Sequence, residues 1–419
     1  VSARVIDGAL ADAPFLREPR LRAVMDALNG AGEETRIVGG AVRNALLGEP
    51  VREVDLATTM APQRTMERAA AAGFKCVPTG VEHGTVTIVV EGEPFEVTTL
   101  REDVETHGRH ATVRFGRDFR MDALRRDFTM NALFVDAQGA LHDHVGGLAD
   151  VARRRVRFIG DAATRIAEDY LRVLRFFRFH AAYGEGEMDE EALHASIAAR
   201  DGLAALSRER VRAELIKLLV ARRASEVCRA MSEAGVLAPV LAGAPNPARL
   251  AQVKRLEAAC GAAPDAVLRL AALAVQVEED AQRLRERLRL SNAESERLAR
   301  AARALVVLHG REAPPDARAL RRLIHAHGPQ ASADALALAC AESRAQDSAG
   351  LWAQAVSAAR ASAPFATPFS GADLIARGVP RGPAMGAALK RLEAAWAEAD
   401  FPQDPVELAR LLDAVAPAR

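Results

Sequence analysis

Along the first third of the chain, apolar residues recur in short alternating runs. "GTVTIVV" (Gly84–Val90) and "FEVTTL" (Phe95–Leu100) interleave β-branched with polar positions, and the "GEP" between them is a turn signal, so a hairpin is predicted. "TRIVGGAVRNALLG" reads as a short strand into Val38, a Gly-Gly turn and a helix to Gly48. "REVDLAT" reads as a further short strand. "NALFVD" and "ALHDHVGG" read as a strand pair about a turn at Gln138-Gly139. From about residue 150 the strand signals stop, and Ala, Leu, Arg and Glu recur at helical spacing. Breaks fall at "AGAPNPAR" (242–249), "REAPPDAR" (311–318) and "ASAPFATPFSG" (361–371). The pattern predicts an α+β head with a small mixed sheet, followed by a long all-helical portion. The Ala-rich tracts read as helix surface, because Leu recurs within them at helical spacing.

Composition sharpens this in a few places. The 419 residues exceed one ordinary core, so two or more domains are expected. Hydrophobic residues make up 49%, ample for burial, and the formal net charge is zero, so nucleic-acid contact must come from local patches. Arginine far outnumbers lysine, which occurs only at Lys75, Lys217, Lys254 and Lys390. Cys76, Cys228, Cys260 and Cys340 are scattered without a CxxC pair, which argues against a disulfide frame or structural zinc. No apolar run is long enough to span a bilayer and no signal-peptide pattern opens the sequence, so a soluble, cytoplasmic protein is expected.

Candidate chemistry begins at "GGAVRNALLGEPVREVDLAT" (39–58). Gly39 and Gly40 permit close backbone approach to a ligand, and the helix start that follows offers free N–H groups to an anion. Arg43, one turn in, is placed to grip a phosphate. Glu53 and Asp55, at i and i+2 on a strand, point to one side, where a divalent cation offsets their repulsion. Mg²⁺ favours such a pair together with substrate phosphates. A lone Gly-Gly, or an acid–x–acid pair at a strand end, is commonly structural; it is the ordered combination with Arg43 that points to a phosphate and metal site. "RRDFTMNAL" (Arg125–Leu133) reads as a salt-bridged strand entry or as arginines holding triphosphate or ribose, with Asp127 orienting a neighbour. In "EDYLRVLRFFRF" (Glu168–Phe179), helical spacing keeps Asp169, Arg172 and Arg175 on one slowly rotating stripe among bulky apolar residues. The plain alternative there is an i,i+4 ion pair from Glu168 to Arg172.

Taken in order, these segments resemble the motifs of class II tRNA nucleotidyltransferases, the bacterial CCA-adding enzymes, and the related bacterial poly(A) polymerases. "GGAVRNALLG…REVDLAT" resembles the metal-binding motif, "RRDFTMNAL" the ribose motif, and "HDHVGGLAD" (142–150) the hinge motif. "EDYLRVLRFFRF" resembles the nucleotide-selecting motif and "LSRERVRAEL" (206–215) the neck helix after it. "FSGADLIARGVPRGPAMGAAL" (369–389) is similar to the tail of these proteins. The resemblance covers roughly residues 35–240 and returns near the C-terminus. It implies a polymerase beta-like nucleotidyltransferase head (1–150), a helical neck (151–245), and a helical body and tail (246–419) that bind tRNA. The implied reaction joins C, C and A to the tRNA 3′ end from CTP and ATP, with two Mg²⁺ ions held by Glu53 and Asp55. Gly39, Gly40, Arg43, Arg126 and Asp127 would line the phosphate and ribose site, and Arg175 would meet the triphosphate or the far edge of the base.

The same resemblance makes Asp169 and Arg172 a protein template for the base, and the chemistry is consistent with that. Cytosine and adenine each set an amino donor beside a ring-nitrogen acceptor, matching a carboxylate and a guanidinium. Guanine and uracil present a carbonyl instead, and the unpaired groups cost about 1–3 kcal/mol each. Three positions depart from the family pattern. Glu53 stands where Asp is usual, Asn44 follows Arg43 in place of Asp, and His144 replaces a hinge proline. "PTGVEHGTVTIVV" resembles the CCA-adding branch rather than the poly(A) polymerases, and 101–118 reads as the flexible loop associated with A addition and with coupling head rotation to the switch from C to A. Complete CCA addition is the preferred expectation. Addition of the final A alone and poly(A) synthesis stay open, as does a non-catalytic RNA-binding relative, for which Glu53 is the only feature. His142-Asp143, His325 and His327 lack the spacing of a metal cluster. The expected partners are the tRNA acceptor arm and 3′ end, CTP and ATP, with no membrane; oligomeric state is not legible.

Overall fold

The computed structural model describes residues 4–6, 10–107, 110–343 and 349–416. Its strands are β1 (Arg4–Ile6), β2 (Thr35–Val38), β3 (Asp55–Thr58), β4 (Lys75–Gly80), β5 (Thr85–Val90), β6 (Glu93–Thr99), β7 (Arg101–His107), β8 (His110–Phe115), β9 (Leu133–Val135) and β10 (Leu141–Asp143). One sheet runs β1-β10-β9-β2-β3-β6-β5-β4. Its neighbours are antiparallel except β3 and β6, which pair parallel with Leu56 opposite Val97. The predicted hairpin is β5–β6, turning at Glu91 and Gly92, whose φ values of 50° and 86° suit the strand twist. The pair β9–β10 turns through Gly139, as expected.

Two local readings differ from expectation. The strand holding Asp55 starts at Asp55 itself, so Glu53 precedes it in irregular chain. The ladder stops there because its partner β2 ends at Val38, opposite Asp55, and then turns at Gly39. The segment 101–118, read as a loop, forms a separate antiparallel pair, β7 with β8. Val104, Thr106, Thr112, Val113 and Phe115 supply strand propensity that the density of charge masked. Residues 108 and 109 of that stretch lie outside the described residues.

Helices α1 (Pro19–Leu28), α2 (Gly40–Leu47), α3 (Pro62–Ala71), α4 (Phe119–Leu124) and α5 (Gly147–Ala152) are interspersed with the strands or close the head; α6 (Ala162–Glu168), α7 (Leu171–Tyr183), α8 (Glu190–Ala198) and α9 (Arg208–Leu219) follow. α7 is docked by phenylalanines. Phe128 lies 4.8 Å from Phe158 and 5.0 Å from Phe179 between ring centroids, and Phe158 stacks on Phe176 at 5.9 Å. These four rings and Phe177 are essentially buried, which joins α7 to the segment before β9 and turns its arginines the other way.

The chain divides into two compact units, Val1–Val227 with Glu233–Val236, and Cys228–Ser232 with Leu237–Arg419. The first contains every strand. The second is helical, from Leu237–Leu241 through Pro405–Val415. Inside it Arg249, 2% exposed, donates to the carbonyls of Ala272 (2.7 Å), Ala271 (2.9 Å) and Val275 and to Glu342 (2.8 Å). It thereby supplies a donor to the orphan Ala272 carbonyl at the end of helix Ala266–Ala274, while the Ala271 carbonyl also accepts from the Val275 N–H. Near the C-terminus Trp396, Leu374 and Leu392 centre a further cluster, with the Trp396 indole donating to Pro402 O at 2.9 Å. Among the described residues no helix is long and apolar enough to cross a membrane.

Arg249→Met is expected to destabilise the second unit by roughly 3–5 kcal/mol, because it removes the donor to the Ala272 and Val275 carbonyls and one partner of Glu342; urea unfolding followed by circular dichroism measures this. His180, 2% exposed on α7, accepts from or donates to Arg223 across 3.0 Å, and since Arg223 only donates, the Nε2 atom is the acceptor. Burial first, then the Arg223 charge, pushes His180 down to about 4. Unfolded, it titrates near ~6.5. Below that pH the unfolded chain takes up a proton that the folded chain refuses, so stability is full above about 6.5 and is lost as pH falls through about 4. Between pH 7 and pH 5 the native chain should lose about 2 kcal/mol more than His180→Gln, read from urea midpoints.

Candidate active site

α2 begins with Gly39 as its N-cap, at φ 74° and ψ −120°, a backbone conformation that side chains resist. A Cβ there would also lie 3.7 Å from Arg126 Nη1. Gly39, Gly40 and Arg126 line the same cavity. Arg43 does not project from α2 to meet a ligand. It is 6% exposed, donates to Asn131 Oδ1 (2.6 Å), Asn44 Oδ1 (2.8 Å) and the Tyr183 hydroxyl (2.8 Å), and lies 3.8 Å over the Tyr183 ring. The expectation of a freely gripping Arg43 is corrected. Most of its donors are spent in bracing α2 against α7 and the segment before β9, and Asn44, in place of the usual acid, supplies one acceptor.

Arg126 and Arg125 both close on Asp122, which is 1% exposed; Arg126 does so through two bonds of 3.0 and 2.9 Å. This salt-bridged entry leaves Arg126 Nη1 toward Gly39. Asp127 accepts from Arg175 Nε at 2.8 Å and Nη2 at 2.5 Å, from the Asn131 amide at 3.2 Å and from the Phe128 N–H at 2.8 Å. Burial alone would raise its carboxyl, but the Arg175 guanidinium and these donors hold it below the usual carboxylate range. The neighbour that Asp127 orients is thus Arg175, and Asn131 links both to Arg43.

Asp169 is not on the α7 stripe. It terminates α6 with extended backbone, two residues before α7 begins. One carboxylate oxygen accepts from the Leu171 N–H at 3.1 Å and the other from Arg210 at 2.6 Å. Arg172 pairs with Glu168, the plain alternative raised by the sequence, and donates to Arg165 O at 2.6 Å. The physical reason is the break between the helices, which brings Glu168 and the Arg165 carbonyl against the first turn of α7.

The ten predicted residues nevertheless line one cavity of about 620 Å³: Gly39, Gly40, Arg43, Glu53, Asp55, Arg126, Asp127, Asp169, Arg172 and Arg175. Asn131, Arg178, Phe179 and Arg210 line it too and were missed. Asn131 lay unmarked inside a quoted motif, and Arg210 sits in "LSRERVRAEL", where no local spacing links it to Asp169. Glu96 was also missed. The parallel register of β3 and β6 sets it beside Asp55, and the Asp55 carboxyl is raised by its surroundings, then by Glu96 and Glu53, against the opposing pull of Arg126. Among the described residues no group of three His, Cys, Asp or Glu side chains is arranged to hold a metal ion by itself. The carboxylate cluster suits a hard cation that takes its other oxygens from a ligand.

Fold and site together define a nucleotidyltransferase head carrying helical extensions. The sequence family described as the poly(A) polymerase head domain matches residues 35–157, and that described as the probable RNA- and SrmB-binding site of polymerase A matches residues 187–247. Mitochondrial CCA tRNA nucleotidyltransferase 1 of Mus musculus is 39% identical over 278 residues, 65% of this chain and 63% of that protein. The CCA-adding enzyme of Geobacillus thermodenitrificans is 40% identical over 215 residues, 51% of this chain and 52% of that one. The solved Bacillus stearothermophilus CCA-adding enzyme in complex with CTP aligns with a TM-score of 0.74 at 27% identity, covering 96% of this chain and 98% of that chain. Over residues 35–157 and 187–247 the chain is similar to the class II tRNA nucleotidyltransferase and poly(A) polymerase family. It spans 63% and 52% of the length of these two curated relatives.

Asp127→Asn is expected to destabilise the first unit by roughly 2–3 kcal/mol, the worth of hydrogen bonds to a charged group. In a double-mutant cycle with Arg175→Ala, measured by urea unfolding, the two losses should fall short of additive.

Proposed function

We propose that the chain adds C, C and A to the 3′ end of tRNA from CTP and ATP. The observation that carries this reading is the convergence of ten residues from four separate segments on one cavity, with carboxylates, arginines and a candidate base acceptor among them. In the proposed reaction the terminal 3′-hydroxyl attacks the nucleotide α-phosphorus, an ester bond forms, and pyrophosphate leaves. Glu53 and Asp55, with Glu96 alongside, are the residues that would hold Mg²⁺. When bound, Mg²⁺ supplies charge stabilisation to the attacking and leaving oxygens.

The chain's own groups do the rest. The α2 N-terminus and Arg126 Nη1 attract the phosphates. Arg175, held by Asp127, adds positive charge on the α7 side. Asp169 accepts from the amino group of cytosine or adenine. Arg172 donates to the ring nitrogen once it exchanges its bond to Glu168 for the base. Arg43 keeps α2 and α7 at fixed separation. We assign residues 1–150 to the catalytic head and 151–245 to the neck. Residues 246–419 form the body and tail, which hold the tRNA acceptor arm by backbone shape. The CTP complex of the Bacillus stearothermophilus CCA-adding enzyme and the similarity to the mouse CCA tRNA nucleotidyltransferase support this choice over poly(A) synthesis.

The test gives the protein Mg²⁺ and a tRNA ending at its discriminator base, with CTP, ATP or both. Two C residues from CTP and a further A with both nucleotides are expected, and Asp55→Ala should lower the rate by at least a thousandfold, as loss of a central charge-stabilising group does. Addition of A only to a tRNA already ending in CC, or long A tails, would replace this reading with a sister activity. Absence of any incorporation, with tRNA still bound, would replace it with RNA binding alone.

A further inference from the structure

We infer that Arg210 sets the base preference of the site by fixing the orientation of the Asp169 carboxylate. This rests on the reading of Asp169 as the base-facing acceptor. Arg210 lies in the first turn of α9 and reaches Asp169 Oδ2 at 2.6 Å, and both side chains are about a quarter exposed, at 28% and 26%, on the wall of one cavity. The other oxygen is fixed by the Leu171 N–H at 3.1 Å. Each carboxylate oxygen has room for about two donors, so one position remains on each for a base.

Arg210 is not a loose surface side chain that happens to fall nearby. α9 is pinned to α7 by Arg178 and Arg175, which both meet Glu214, and by the buried Val211, Leu215 and Leu218. The guanidinium therefore reaches Asp169 from a rigid element. The consequence is chemical. A carboxylate beside a fixed cation can accept from the amino group of cytosine or adenine and has no proton to offer. A carboxylate that has lost this partner is free to rotate away from the Leu171 N–H, and it no longer sets a fixed acceptor against the O4 of uracil or the O6 of guanine. Arg210 is thus a positioning residue that acts through Asp169, and its loss should relax discrimination before it abolishes binding.

Equilibrium dialysis of CTP and UTP against the full chain, Arg210→Gln and Arg210→Lys tests this without turnover. The unaltered chain should prefer CTP. Arg210→Gln should lower the CTP:UTP affinity ratio roughly tenfold, the equivalent of one mispaired group, with an unchanged thermal midpoint. Arg210→Lys, which keeps the charge, should retain most of the ratio. A ratio unchanged in Arg210→Gln, or lost equally in both variants, would overturn the proposal. Equal affinities in the unaltered chain would instead remove the base-reading role of Asp169 itself, and the proposal with it.

Discussion

The site depends on one partly buried ionic node, Asp127 with Arg175. Asp127 stands at the start of the segment leading to β9, and Arg175 is on α7, so the pair ties the sheet to the helices that follow it. Asn131 extends the node to Arg43, whose other donors reach Asn44 and Tyr183. On the other side Arg175 and Arg178 share Glu214 of α9. One connected set of polar groups thus fixes α2, α7, α9 and the pre-β9 segment around a single cavity. Removing any member leaves partly buried charge behind, which is why such a network holds geometry more strongly than its separate bonds suggest.

The phenylalanines give this network its direction. Phe128, Phe158, Phe176 and Phe179 pack the junction, and Arg172, Arg175 and Arg178 of α7 line the cavity. Hydrophobic burial decides which face of the helix is polar, and ion pairs decide where on that face each guanidinium points. The cavity that results has two unlike regions. Glu53 and Asp55 make one acidic, with Glu96 acting on Asp55 from outside the lining, and Arg126, Arg172, Arg175 and Arg210 make the other basic.

In the structure the cavity is also self-paired. Arg172 rests on Glu168, Asp169 on Arg210, and Arg175 on Asp127. A ligand entering it exchanges partners rather than filling unsatisfied groups, so free charges do not have to be buried in its absence. That arrangement favours selectivity over raw affinity, because only a ligand presenting equivalent donors and acceptors repays the exchange.

Much of this was legible in the residues alone. Strand alternation and turn glycines located β2, β5, β6, β9 and β10, and helical spacing located α2 and the long helical portion, because these signals are local and act within a few residues. The ordered motifs singled out ten residues that share one cavity. What the sequence could not settle was every feature that depends on distant partners. Arg43 reads as an exposed grip and is a buried brace, because Asn131 and Tyr183 lie 88 and 140 residues away. Asp169 reads as a helix residue and belongs to the break before the helix, where Arg210 can reach it. Glu96 becomes a neighbour of Asp55 only through the parallel pairing of β3 and β6. Local patterns determine which segments are strands, helices and turns; only the packed chain decides which charges meet, since that is set by contacts between residues the sequence holds far apart.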